Sequence, residues 1–143
     1  MNAVVIYESL TGTTAKAATL IAEGLTAKGL PTRAYAVDAI DYQALSDADL
    51  VIVGGWTDGL VFFGQKPGRQ WKLSGMPAIR GKQAVVFATY AVDPGKVLDK
   101  LVAIVEERGA EVLGGMTIRR GRVPASAAAF VDKVLAVVSP VSG

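Results

Sequence analysis

The sequence has no cysteine and no histidine among its 143 residues. Without thiols it can form no disulfide, thiolate metal site or iron–sulfur cluster, and it offers no cysteine nucleophile. Without imidazole it has no serine–histidine triad and no histidine-ligated zinc. Its chemistry must rest on hydroxyls, carboxylates, backbone amides or a borrowed cofactor. Long apolar runs are also missing, and no basic segment leads into an apolar one at the start of the chain. The expectation is a cytoplasmic protein with neither a membrane span nor a secretory signal. Hydrophobic residues at 51% against 20% charged exclude intrinsic disorder. The length suits one domain, 1–143.

Acidic residues are absent from one particular stretch. None stands between Asp58 and Asp93, while Lys66, Arg69, Lys72, Arg80 and Lys82 fall inside that interval. Residues 1–59 hold three cations and seven acids; residues 60–143 hold twelve cations and six acids. The basic stretch reads either as a solvated face or as a docking surface for an acidic partner. Nucleic acid is not expected, because the chain lacks a recognised binding motif and a basic–aromatic stacking platform.

What is present is a regular alternation of apolar runs and amphipathic stretches. Ala3-Val4-Val5-Ile6-Tyr7 is a continuous apolar run, the pattern of a strand buried on both faces. Thr13 to Lys28 reads as a helix, with Ala17, Ile21 and Leu25 at four-residue spacing and Gly29 ending it. Thr32 to Val37 is the least apolar strand and suits a sheet edge. A helical turn is expected around residues 41–46. Leu50-Val51-Ile52-Val53 is a further buried strand that Gly54-Gly55 should stop. A connection of about 28 residues follows, with turns at Pro67-Gly68 and Pro77 and a short helix at Gln70–Leu73. Ala84–Ala88 is the next strand. Asp93 and Pro94 read as the cap and first residue of a helix through Arg108, its apolar face including Val97, Leu101 and Val105. A last strand lies within Ala110–Ile118. The final helix places Ala127, Phe130, Val131, Val134, Leu135 and Val138 on one stripe.

Buried strands separated by helices imply parallel crossovers, and such sheets bind ligands beyond the strand C-terminal ends. Three strand exits therefore matter. The first, Glu8-Ser9-Leu10-Thr11-Gly12-Thr13-Thr14, places four hydroxyls and a glycine at a helix N-terminus. One hydroxyl suffices for a cap, whereas four with unpaired amides and the positive end of the helix dipole suit a phosphate. Competing phosphate motifs do not fit: there is no Gly-x-x-x-x-Gly-Lys-Ser/Thr and no Gly-x-Gly-x-x-Gly after the first strand. A phosphoacceptor receiver domain would want aspartates at the exits of the first and third strands, where this chain has Glu8-Ser9 and Gly54-Gly55.

Val5-Ile6-Tyr7-x-Ser9-x-x-Gly12-x-Thr14-x-x-x-Ala18 resembles the signature of the flavodoxin family, and the order and length of the elements resemble a short-chain flavodoxin. The resemblance implies an α/β fold, a flavodoxin-like doubly wound five-stranded parallel sheet of order 2-1-3-4-5 with helices on both faces. It implies FMN as cofactor, its phosphate held by Ser9, Leu10, Thr11, Gly12, Thr13 and Thr14. The second exit would supply Trp56, Thr57, Asp58 and Gly59. In many flavodoxins a tryptophan follows the threonine here and stacks on the flavin; in this chain Trp56 precedes Thr57. Phe62, Phe63 and Trp71 are the alternative aromatics, and Gly59 is the candidate for a peptide that turns toward the flavin. The third exit would supply Thr89, Tyr90 and Ala91, with Tyr90 toward the other face of the ring.

The expected function is electron transfer between a reductase and an acceptor, with no catalytic side chain and no metal. The redox partners would be proteins, acidic ones docking near Lys66, Arg69 and Lys72. Two alternatives remain: an FMN-dependent reductase of a quinone-type acceptor, and a flavin-free interaction module on the same fold.

Overall fold

Apolar runs at Ala3–Tyr7 (β1), Leu50–Asp58 (β3) and Gln83–Tyr90 (β5) form the centre of a parallel sheet in the computed structural model, which describes residues 1–58 and 64–138. Thr32–Ala36 (β2) and Glu111–Arg119 (β6) are its edges, as the weaker apolar character of residues 32–37 predicts for β2. A two-residue strand, Lys66–Pro67 (β4), runs antiparallel to the end of β3. The order is β2-β1-β3-β5-β6, so the five parallel strands stand in the expected 2-1-3-4-5 arrangement once β4 is set aside.

Alternate residues of the central strands enter two separate cores. Val5, Ile52, Val85 and Phe87 pack under α1 (Thr13–Ala27) and α5 (Val123–Val137). Val4, Val53, Val86 and Ala88 pack under α2 (Tyr42–Asp47), α3 (Gln70–Ser74) and α4 (Val97–Glu107). The helical stripe Ala17, Ile21, Leu25 is fully buried, as is its counterpart Val97, Leu101, Val105. This double burial explains why β1 and β3 read as continuous apolar runs rather than alternating ones.

Three local expectations are corrected. Gly54-Gly55 does not stop β3, which continues through Asp58. These glycines answer a packing demand: an added Cβ on Gly54 would stand 2.1 Å from Phe87 Cζ. That ring fills the space and meets Phe130 edge-on at 5.7 Å between centroids. β5 likewise runs on to Tyr90, so Trp56, Thr57, Thr89 and Tyr90 sit on strand ends rather than in loops. Asp93 does not cap α4. Its Oδ1 accepts the Gly95 amide at 2.9 Å in a local turn, and the helix begins only at Val97.

The Phe87–Gly54 contact predicts a position-specific cost. Gly54→Ala should lose about 1–3 kcal/mol by overpacking. Gly55→Ala, whose Cβ would meet Leu101 and Leu73 at an ordinary 3.4 Å, should be nearly neutral. Urea midpoints of the two variants test this; equal midpoints would show that the Phe87 ring has room to move.

Candidate functional site

Because the strands are parallel, the exits of β1, β3, β5 and β6 lie along one edge of the sheet. At the first exit, the Ser9 hydroxyl turns inward and accepts the amides of Gly12 and Ala15, each at 3.2 Å. Gly12 makes the turn into α1 with φ +96°, a conformation that costs glycine little. Its carbonyl takes the Lys16 amide at 2.9 Å. The amides of Thr11, Thr13 and Thr14 have no acceptor among the described residues, and α1 carries no acid in its first turn. Three free amides at the positive end of a fifteen-residue helix favour an anion.

The four hydroxyls of this loop divide by role. Ser9 shapes the loop. Thr14 is buried and bonds the Thr89 hydroxyl at 2.7 Å, tying the start of α1 to the end of β5. The hydroxyls of Thr11 and Thr13 have no partner among the described residues and are the two free to donate to a ligand. Thr57 Oγ1 donates to the Thr89 carbonyl at 2.9 Å, which joins the second exit to the third.

These bonds gather the exits around one cavity of about 190 Å³. The first exit contributes Leu10, Thr11, Thr13 and Thr14, the second Trp56 and Thr57, and the third Thr89, Tyr90 and Ala91. Ser9 lies within the loop's own hydrogen bonds, and Gly12 faces an adjoining cleft of about 390 Å³. Asp58 ends β3 opposite Lys66 and does not line the cavity. Trp71 is 70% exposed on α3, also away from the cavity. Gly59, Phe62 and Phe63 lie outside the described residues. Among those described, no group of side chains could hold a metal ion, and no helix is long and apolar enough to cross a membrane.

Two residues here escaped the sequence reading. Arg120, in the turn after β6, lines both the cavity and the cleft. Its signal was the cluster Arg119-Arg120-Gly121-Arg122 at a fourth strand exit. The other is Glu8, a carboxylate only 4% exposed. It accepts the Trp56 indole N–H and stands 3.4 Å from Arg69 Nη1 and 3.9 Å from Lys72 Nζ. Trp56 is pressed against Gly68, where an added Cβ would fall 1.9 Å from the ring. The indole that walls the cavity is thus held by a buried anion on one side and bare backbone on the other.

This arrangement changes the meaning of the basic stretch. Arg69 and Lys72 neutralise Glu8, and Lys72 also reaches Asp38 at 3.2 Å. Lys82 donates to the carbonyls of Ser46 and Ala48 at the end of α2. These cations bind their own chain as well as facing solvent. The hydrogen bond and charge of Lys72 hold the Asp38 carboxyl below its ordinary range. A lowered folded-state pKa gives stability above the ordinary carboxylate range that is lost as pH falls through the lowered value.

A family model described as a flavodoxin domain matches residues 4–138. Among solved structures, flavodoxin 1 from Bacillus cereus is 22% identical with a TM-score of 0.71, covering 97% of this chain and all of its own. A cysteine-to-serine mutant of the flavodoxin from Pseudomonas aeruginosa is 15% identical with a TM-score of 0.72, over 96% of this chain and 98% of its own. The two-electron reduced flavodoxin of Megasphaera elsdenii is 18% identical with a TM-score of 0.70, over 91% and 98%. At these identities the structures are similar in fold. A comparison with curated protein sequences yields no match.

The Glu8 cluster predicts non-additive stabilities. Removing both cations in Arg69→Ala/Lys72→Ala strands a buried carboxylate and should cost about 1–3 kcal/mol, reduced to the extent that water reaches it. Adding Glu8→Gln, which still accepts the Trp56 N–H and needs no cation, should recover much of that loss. Denaturant unfolding of the single, double and triple variants gives the coupling. Additive losses would mean that Glu8 is solvated without them.

Proposed function

This chain belongs to the flavodoxin family, matched from residue 4 to 138, and on that premise we propose that it is a single cytoplasmic FMN-binding domain, 1–143, carrying electrons from a reductase to an acceptor protein. Family membership implies FMN as the cofactor. One observation carries the reading: a single cavity is walled by the amide-rich turn into α1 and by two aromatic side chains, Trp56 and Tyr90. A flavin mononucleotide needs both, an anion site for its phosphate and flat apolar walls for its ring.

The residues present fit that ligand. Free amides of Thr11, Thr13 and Thr14 and the hydroxyls of Thr11 and Thr13 would hold the phosphate, with Ser9 and Gly12 shaping the loop. Trp56 and Tyr90 would flank the ring, with Thr57, Thr89 and Ala91 lining the space between. Asp58 and Gly59 follow Thr57 and complete the assigned segment. The described walls enclose about 190 Å³. FMN, when bound, supplies the redox chemistry, exchanging one or two electrons. The chain positions it, walls it from water and sets the local field.

Partner docking is assigned to the surface near Lys66, Arg69 and Lys72. Lys66 is exposed beside the end of β3, and the Arg69 side chain is 41% exposed even while paired with Glu8. Such a surface favours acidic partners, and docking through it weakens as salt rises.

The test compares FMN with riboflavin, which lacks the phosphate. Each charge-assisted bond is worth about 1.5–3 kcal/mol, so Thr11→Ala/Thr13→Ala should lower FMN affinity by tenfold or more and change riboflavin affinity far less. In a Trp71→Phe background, Trp56 is the remaining tryptophan, and FMN should quench its emission strongly. Equal loss of both ligands would show that the loop does not read the phosphate. Faster steady-state turnover with quinones than with a protein acceptor would favour the reductase alternative, and failure to bind FMN would favour the flavin-free one.

A further inference from the structure

We infer that Arg120 determines selectivity for the phosphorylated flavin, supplying the one full positive charge that lines the cavity among the described residues. The inference rests on the FMN reading above. It follows from where β6 ends: the turn Arg120–Arg122 leaves the sheet at the edge shared by the other exits, before α5 begins at Val123. The cavity and the adjoining cleft share three lining residues, Thr11, Thr13 and Arg120. Whichever of the two hollows receives the phosphate, Arg120 is part of its lining.

The charge surrounding it is one-sided. No carboxylate among the described residues lines either hollow, and Lys16 adds a second cation to the cleft. Among the described residues, Lys28, Arg69 and Lys72 are spent on acids, while no acid pairs with Arg120, which is exposed. Amides and hydroxyls at a helix start meet a phosphate with partial charges only. A guanidinium adds a full charge and offers a planar fork of donors that matches two phosphate oxygens. Arg120 therefore separates the phosphorylated from the unphosphorylated flavin beyond what Thr11, Thr13 and the helix terminus achieve.

Binding of FMN and of riboflavin to the full chain and to Arg120→Gln and Arg120→Lys decides the matter. Arg120→Gln should weaken FMN about tenfold, as expected for a charged hydrogen bond, and leave riboflavin affinity nearly unchanged. Arg120→Lys should keep part of the preference, and raising salt should erode it in the native chain more than in Arg120→Gln. If the native chain prefers FMN and Arg120→Gln keeps the same ratio, Arg120 does not read the phosphate and the loop alone does. An equal loss of both ligands would give Arg120 a structural role and overturn the inference too. If the native chain fails to distinguish the two flavins, the FMN reading falls, and this inference with it.

Discussion

The three central strands lose both faces to helices, and the rest of the molecule is arranged around that burial. Parallel neighbours cannot be joined by a tight turn, so the connections cross over the faces of the sheet and carry the helices that bury it. Each of the five parallel strands then ends at the same edge, and the segment that follows it starts from there. At β1 the segment is short and enters α1 directly, which aims that helix's free amides along the edge. At β3 and β5 the strands run on past their apolar cores and bring Trp56 and Tyr90 to the same place.

Hydrogen bonds between exits, rather than apolar packing, hold this edge together. Thr14 to Thr89 links the first exit to the third, and Thr57 to the Thr89 carbonyl links the second to the third. Glu8 adds a link of another kind, joining the end of β1 to Trp56 on β3 and to Arg69 and Lys72 beyond it. A carboxylate this buried persists because its charge is met on one oxygen and its hydrogen bond on the other. The acidic first part of the chain and the basic second part thus meet in the fold, so the uneven charge along the sequence is partly an internal pairing.

The first exit illustrates how one composition divides into separate tasks. Four hydroxyls in six residues look equivalent in the sequence. In the fold Ser9 closes the turn and Thr14 locks it to β5, leaving the hydroxyls of Thr11 and Thr13 without a partner among the described residues. Arg120 reaches the same place from more than a hundred residues away. The loop at the start of α1 and the aromatic walls of the cavity therefore come from different parts of the chain, while sharing Thr89 as a common support.

By itself, the sequence determined the class of fold, the positions of the helices and the phosphate-loop candidate. Those features are local: apolar periodicity, a glycine turn and hydroxyls at a helix start are each set by neighbours a few residues apart. Only the tertiary structure decided that Gly54-Gly55 lies inside a strand, because the reason is the Phe87 ring on another strand. It also decided that Asp93 closes a turn with Gly95 instead of capping α4, a choice between two competing uses of one carboxylate. Nor could spacing reveal that Glu8 meets Arg69, 61 residues on, or that Arg120 shares a cavity with Thr11 and Thr13. Charge and hydrogen-bond pairing at such separations depends on which strands become neighbours, and no local pattern encodes that.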